Sequence, residues 1–299
     1  FVIDSDSKTA PTEELIKLRA RYYTIPPYQK LPQYITALIK LFKTNRYQCV
    51  HVHMNTLSVF ALFAAKAAGV PVRICHSHST AAKGETKRNI MKYCRRPFSK
   101  VFATDYCACS EYAGKWLFGE RAVKEGKVPV FPHAVDLDKY KINPEIRKTK
   151  RKELGIGNEF VVGHVGRFMF QKNHEFLIEI FDDFHRKNPC SVLLLVGDGP
   201  LKDEIHRKVE SLGLQNSVIF TGNKTDVHQL YSAMDIFVFP SRYEGLGLAA
   251  VEAQAAGLFV LLSSRIPKEA KITNNAHFLN LDEGKEKWSE EIEKRMNCS

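Results

Sequence analysis

Two stretches of the sequence put cations, glycines and carboxylates where an anionic ligand could be gripped. The first is Gly163-His164-Val165-Gly166-Arg167-Phe168-Met169-Phe170-Gln171-Lys172-Asn173. A strand-like pattern runs into glycine, Arg167 follows, and Lys172 comes five residues later where a helical pattern starts. Two cations and a helix N-terminus beside a backbone-accessible glycine suit a diphosphate. An isolated Arg-x4-Lys is more often a solvated basic loop, and the strand-to-helix placement is what argues otherwise here. The second stretch is Pro240-Ser241-Arg242-Tyr243-Glu244-Gly245-Leu246-Gly247-Leu248, continuing to Glu252. Gly245 and Gly247 let the backbone approach a ligand, and the following helix offers its first N–H groups to an anion. Carboxylates accept paired hydroxyl donors, so Glu244 and Glu252 could hold the hydroxyls of sugar and ribose. Glu252 could instead be a helix-surface glutamate, but Ala249, Ala250, Val251, Ala253 and Ala255 around it leave no obvious solvent face.

Histidines form a third group. Arg73-Ile74-Cys75-His76-Ser77-His78-Ser79 ends a strand in a polar tail, and His51 and His53, two apart, share a strand face. A lone histidine is more often a satisfied core group. A structural role is expected for His51, and positions facing a ligand for His53 and for His78 and Ser79 in the polar tail. Four histidines could suggest a metal, but no carboxylate stands at ligand spacing, so no metal is expected. The seven cysteines are odd in number, form no C-x-x-C, and several sit in apolar runs. That pattern fits buried thiols in a reducing cytosol better than a disulfide framework. Between Lys83 and Lys100 there are seven basic residues and only Glu85 as an acid. Helical spacing spreads Lys87, Arg88, Lys92, Arg95 and Arg96 over one broad face, which could be a solvated helix or a dock for an anionic membrane.

These groups need a scaffold. Apolar strand-like runs alternate with amphipathic helical stretches along the whole chain, the signature of α/β layers with parallel sheets. Strands are expected near 49–53, 71–76, 106–109 and 127–131, with helices near 33–44, 57–68 and 112–118. A connection over 131–152 leads to a second series, with strands near 160–165, 191–196, 217–221, 236–239 and 258–262. Its helices are expected near 173–187, 201–212, 227–233 and 248–256. The 299 residues are enough for two domains with their own cores, divided at 147/148. Two open α/β sheets facing each other place a ligand beyond the carboxyl ends of the strands. The longest apolar stretch, Leu57 to Gly69, is broken by Lys66 and too short to span a bilayer. The chain is therefore expected to be soluble and cytoplasmic.

Charge is divided unevenly. Residues 1–150 carry 26 Lys+Arg against 12 Asp+Glu, a surplus of 14, whereas residues 151–299 carry 18 against 21, a deficit of 3. The basic half is suited to meet nucleic acid, a membrane surface or a phosphorylated substrate.

Gly166-Arg167-Phe168 with Gln171-Lys172-Asn173, and the Glu-x7-Glu of Glu244 and Glu252, resemble the retaining glycosyltransferases of family 4. Val196-Gly197-Asp198-Gly199-Pro200 and Phe220-Thr221-Gly222 fit the same resemblance, which extends over essentially the whole chain. It implies the GT-B fold, two facing Rossmann-like domains with parallel sheets: an acceptor-binding domain over 1–147 and a nucleotide-sugar donor-binding domain over 148–299. Arg167 and Lys172 would hold the donor diphosphate, Glu244 would contact the donor sugar, and Glu252 would take the ribose hydroxyls. Gly166 and Gly245, Leu246, Gly247 and Leu248 would offer backbone to phosphate and sugar, while Gly197 and Gly222 would flank the nucleobase. His78 would hydrogen-bond the reacting sugar. The family's first strand with its glycine-rich loop, and its final crossing helix, are not matched, so a fragment trimmed at both ends is expected.

The function implied is retaining transfer of a hexosyl unit from a nucleotide-diphosphate sugar, a UDP-sugar by resemblance, to a glycan or lipid-linked acceptor. Surface polysaccharide or glycolipid assembly is the setting, exopolysaccharide or capsular polysaccharide included, with the enzyme peripheral at the inner face of the membrane and no cofactor. An epimerase of the same fold would need acid and base carboxylates, for which only Asp105 and Glu111 stand near strand ends. A nucleic-acid-binding protein would explain the basic half but lacks aromatic–basic interleaving and leaves Glu244 and Glu252 without a role.

Overall fold

The computed structural model of the chain describes residues 1–5, 17, 19–80 and 86–297, with the backbone alone at residues 3, 4 and 86–88. It divides into two compact units: residues 1–78 with 87–131, and residues 79–86 with 132–299.

In the first unit, β1 (Val2–Asp4) pairs in parallel with β2 (Tyr23–Ile25). The helix α1 (Leu31–Asn45) starts with proline in its first turn and ends at Arg46 in the left-handed region. Next come β3 (Cys49–Val52), α2 (Ser58–Ala67), β4 (Val72–Ser77), α3 (Thr86–Phe102), β5 (Asp105–Ala108), α4 (Glu111–Phe118) and α5 (Glu120–Lys124). Strands β3, β4 and β5 form one parallel sheet in that order. Alternation along the strands gives its two faces different fates. Val52, Cys75 and Ala108 are buried on the face that α2 covers with Leu62, Ala64 and Ala65. On the opposite face His51, Ile74 and Cys107 line an open groove with Asp105, Lys127 and Phe131. The strand expected near 127–131 is reduced to a single bridge between Val130 and Ala108. Pro129, which has no N–H for a ladder, accounts for its shortness.

The second unit holds α6 (Leu137–Tyr140), α7 (Pro144–Glu153), β6 (Phe160–Val165), α8 (His174–Lys187), β7 (Ser191–Val196), α9 (Lys202–Ser211) and β8 (Val218–Gly222). It continues with α10 (Val227–Leu230), β9 (Ile236–Phe239), α11 (Leu248–Ala255), β10 (Phe259–Ser263), β11 (Ala276–Leu279) and α12 (Gly284–Met296). Its sheet is six-stranded and parallel throughout, in the order β11-β10-β9-β6-β7-β8. Period-2 alternation feeds two separate cores. Val161, Leu194, Phe237, Phe239 and Val260 meet Tyr231, Ala250 and Ala253 on one face. Val162, Leu193, Leu195 and Val238 meet Leu177, Phe181, Ile205 and Trp288 on the other. A sheet sealed on both sides is what near-continuous apolar strands require.

The 131–152 segment does more than connect. In α7, Arg147 donates to the carbonyls of Ser232 (3.0 Å) and Met234 (2.9 Å), and both Arg147 and Arg151 pair with Asp235. The 147/148 boundary expected from sequence falls inside this helix, which belongs wholly to the second unit. A basic polar run read as a linker is a docking surface because its arginines find buried backbone carbonyls.

Candidate functional site

The second unit gathers the two cation–glycine–carboxylate stretches at the carboxyl ends of its strands. Strand β6 delivers Gly166 and Arg167, β7 delivers Gly197 and Asp198, and β8 ends at Gly222. These loops are stitched together by their backbones. Gly166 N–H donates to Val196 O (3.0 Å), Gly197 N–H to Gly222 O (3.0 Å) and Phe168 N–H to Asp198 O (3.0 Å). Gly197 has φ +137°, and a Cβ there would stand 2.2 Å from the carbonyl oxygen of Gly166, so only glycine fits. The three loop ends surround a cavity of about 690 Å³ lined by Gly166, exposed Arg167, Asp198, Asn223, Lys224 and Val227 among others.

Lys172 is not at the start of α8, as expected, but in the 3-10 turn Phe170–Lys172 that precedes it. Asn173 turns the chain through the left-handed region (φ 59°) and anchors it by donating to Pro240 O at 3.1 Å. This bend aims Lys172 sideways. Its Nζ lies 2.8 Å from Oε1 of Glu244 and 4.5 Å from the centre of the Phe239 ring. The other Glu244 oxygen accepts from Gln171 Nε2 at 2.8 Å. Glu244 is only 6% exposed, so an anion met by Lys172 meets a cation already held in place. Gly245, Leu246 and Gly247 follow, all buried, and Gly247 (φ 94°) caps α11. No side chain caps that helix, which leaves its first N–H groups, from exposed Leu248 onward, to a ligand or water.

Glu252, half-buried one helix turn and more into α11, accepts from Tyr231 Oη at 2.9 Å. Tyr140 stands beside them, its ring 5.9 Å from that of Tyr231. Burial and then the Glu252 charge push both phenols upward, so both are neutral donors. Sequence reading missed these tyrosines because Tyr140, on α6, and Tyr231, in the 3-10 turn after α10, come to α11 only in three dimensions. Beneath the site lie two more groups it did not single out. His164 is fully buried, with Nδ1 2.8 Å from Val238 O, and His174 stacks on Phe168 at 4.2 Å. Burial lowers His164 to about 3 and His174 to about 2, so both imidazoles are neutral.

The first unit gathers the histidines. His51 and His53 on and after β3 lie beside His76 and His78 on and after β4, in a stacked array with ring centres 4.1–5.2 Å apart. His53 Nδ1 is 2.7 Å from His78 Nε2, and the His78 N–H donates to Asn55 Oδ1 at 2.7 Å. His51, expected to be structural, is exposed at the groove, with Nε2 3.1 Å from His76 Nδ1 and 3.6 Å from Cys107 Sγ. Ser79 follows, half-buried. Asp105 stands at the amino end of β5, bonded to Thr104 at 2.7 Å, and Glu111 pairs with Lys115 at 2.7 Å. Neither is placed as an acid–base pair would need.

Helix α3 differs from expectation. Arg95 lies over the Phe60 ring (5.4 Å) and Arg96 over Trp116 (6.0 Å), so both cations turn onto the protein. What faces outward is apolar: Ile90, Met91, Tyr93, Phe98 and Val101 are all at least half exposed. Lys92 is half-buried, and the side chains of Lys87 and Arg88 lie outside the described residues. The thiols also divide: Cys75, Cys107 and Cys109 are buried, whereas Cys49, Cys94 and Cys190 are exposed. No described helix is long and apolar enough to cross a membrane.

Known proteins resemble this chain in sequence and in fold. The model of "Glycosyl transferases group 1" matches residues 146–299 and that of "Glycosyltransferase Family 4" matches residues 2–139. EpsF of Bacillus subtilis, named as a glycosyltransferase, is 34% identical over 275 residues, covering 90% of this chain and 72% of EpsF. The Escherichia coli UDP-Gal:α-D-GlcNAc-diphosphoundecaprenol α-1,3-galactosyltransferase is 32% identical over 240 residues, 77% of this chain and 61% of that protein. Among solved structures, Anabaena HepE in complex with UDP and glucose superposes with a TM-score of 0.83 at 22% identity, over 99% of this chain and 82% of HepE. That likeness concerns the fold, two Rossmann-like α/β domains of the GT-B type.

Proposed function

The chain belongs to the group 1 glycosyltransferases, with a family 4 domain before the group 1 domain, and we propose that it transfers a hexosyl unit from a UDP-sugar with retention. The observation that carries the reading is the pre-paired Lys172–Glu244 beside the Arg167 cavity at the carboxyl ends of the second unit's strands. In this reading the diphosphate lies against Arg167, Lys172 and the uncapped N–H groups of α11. Cations and aligned dipoles fixed before the reaction stabilise the departing diphosphate without reorganisation. Glu252, held by Tyr231, takes the ribose hydroxyls, and the backbone of Gly197 and Gly222 flanks the base. The acceptor hydroxyl attacks from the face the diphosphate leaves, with His78 and His53 on the acceptor side together with Ser79. No side-chain nucleophile is required. UDP is favoured because HepE is solved with UDP and the E. coli relative is named for UDP-Gal.

The acceptor in this reading is lipid-linked, as the E. coli relative's name states for that enzyme, and the setting is surface polysaccharide assembly on the cytoplasmic side. The outward face of α3 supports docking on a bilayer by insertion of Ile90, Met91, Tyr93, Phe98 and Val101, with nearby cations adding attraction to anionic lipid. Incubating the chain with UDP- and GDP-sugars and following released nucleotide and the anomeric configuration of the product by NMR tests the reading. Release from a UDP-sugar with an α-linked product from an α-donor is expected; an inverted product would overturn retention. Flotation with anionic vesicles should weaken several-fold in Phe98→Ser, and unchanged flotation would contradict insertion.

A further inference from the structure

The histidine array of the first unit has a property that neither nucleotide binding nor transfer uses. One ligand atom from each of His51, His53 and His76 lies within 4.8 Å of the other two. Three nitrogens on a tetrahedral dication, each at about 2.0–2.1 Å, would stand about 3.3 Å apart. The separation of His51 Nε2 from His76 Nδ1, 3.1 Å, is already of that order, and small ring rotations bring in the third. The expectation of no metal rested on a missing carboxylate, but an all-imidazole donor set needs none.

The donors are set by backbone. His51 and His76 project from neighbouring strands whose register pairs Val52 with Cys75, so the spacing of two parallel strands fixes the two rings. His53 follows two residues after His51 on the same face, its ring 4.1 Å away. The groove on the solvent side of His51 gives an ion a way in, and Asp105 on its wall contributes an opposing charge. Cys107 Sγ, 3.6 Å from His51 Nε2, adds a soft donor next to the set.

We propose that His51, His53 and His76 form a binding site for a borderline transition-metal dication, Zn²⁺ by its preference for tetrahedral imidazole ligation. The site goes beyond the transferase reading: its three histidines belong to the first unit, whereas the donor cavity is lined by residues of the second. Its link to that reading is the 2.7 Å contact between His53 and His78, through which a bound ion would fix the orientation of the His78 ring.

The full chain, stripped with chelator, is titrated with Zn²⁺ against a chromophoric competitor, and with Co²⁺ in the visible region. One equivalent bound with intense tetrahedral Co²⁺ bands is expected, and His51→Ala, His53→Ala and His76→Ala should each weaken binding at least tenfold. His51 and His53 are exposed, so their variants keep the fold, which thermal melting checks. His277→Ala, at an exposed histidine outside the array, should leave binding unchanged. The chain has eleven histidines, so binding that survives His51→Ala together with His53→Ala would place the ion elsewhere and overturn the proposal. No stoichiometric binding at neutral pH would overturn it as well. Neither result depends on whether any sugar is transferred.

Discussion

The two units present their polar groups in opposite ways. In the second, the sheet is sealed on both faces, and both carboxylates of the candidate site arrive with partners: Lys172 and Gln171 on Glu244, Tyr231 on Glu252. In the first, one face of a three-stranded sheet is open, and its imidazoles have one another as neighbours. Charge paired within the fold gives a rigid site committed to one kind of ligand. Imidazoles stacked beside a groove leave the choice of proton, hydroxyl or ion to what arrives.

If the donor side is rigid because its loops are stitched backbone to backbone, the largest effect comes from breaking a stitch. Gly197→Ala puts a methyl 2.2 Å from Gly166 O at a φ that side chains rarely adopt. A loss of about 4 kcal/mol in stability, with nucleotide binding abolished, is expected from overpacking and backbone strain together. Chemical denaturation checks it, and a variant that melts like the parent would mean the loops can part.

Acid sharpens the contrast next. His164 and His174 have folded-state values near 3 and 2, below the ordinary value of about 6.5. The unfolded chain therefore binds more protons between those limits. Their stabilisation is complete above about pH 6.5 and is lost as pH falls toward 3, about 2 kcal/mol for each ring between pH 7 and 5. His174→Phe, which keeps the stack on Phe168, should make the melting temperature less steep in this range. An unaltered slope would show that these rings do not carry the acid sensitivity.

A smaller change tests whether Glu252 needs its phenol. Tyr231→Phe removes the 2.9 Å bond and should cost about 1 kcal/mol, a roughly fivefold rise in donor KM with little change in kcat. A fall in kcat alone would place Glu252 at the reacting sugar instead.

Much of the donor half was legible in sequence because its signals are local: strand, glycine, cation and helix follow one another within a dozen residues. Arg167, Lys172, Glu244 and Glu252 could be proposed on that basis, and the fold brings Lys172 to Glu244. Legibility fails where partners come from afar. Tyr140 and Tyr231 reach Glu252 across the fold, and Arg147 and Arg151 turn an apparent linker into part of the second unit. Helix α3 fails differently: its cations were visible, but not that Phe60 and Trp116 would draw Arg95 and Arg96 inward and leave the apolar residues outside. The histidines could be grouped by strand face, while the convergence of His51, His53 and His76 depends on strand register, which no local pattern fixes.

Calorimetric titration of UDP into the full chain, beside Arg167→Ala and Lys172→Ala, tests the central claim most directly. Arg167 is exposed on the cavity wall and its loss leaves the fold intact, so the account predicts UDP binding by the parent and at least tenfold weaker binding by each variant. UDP binding of equal strength in all three would contradict a diphosphate site built on these two cations.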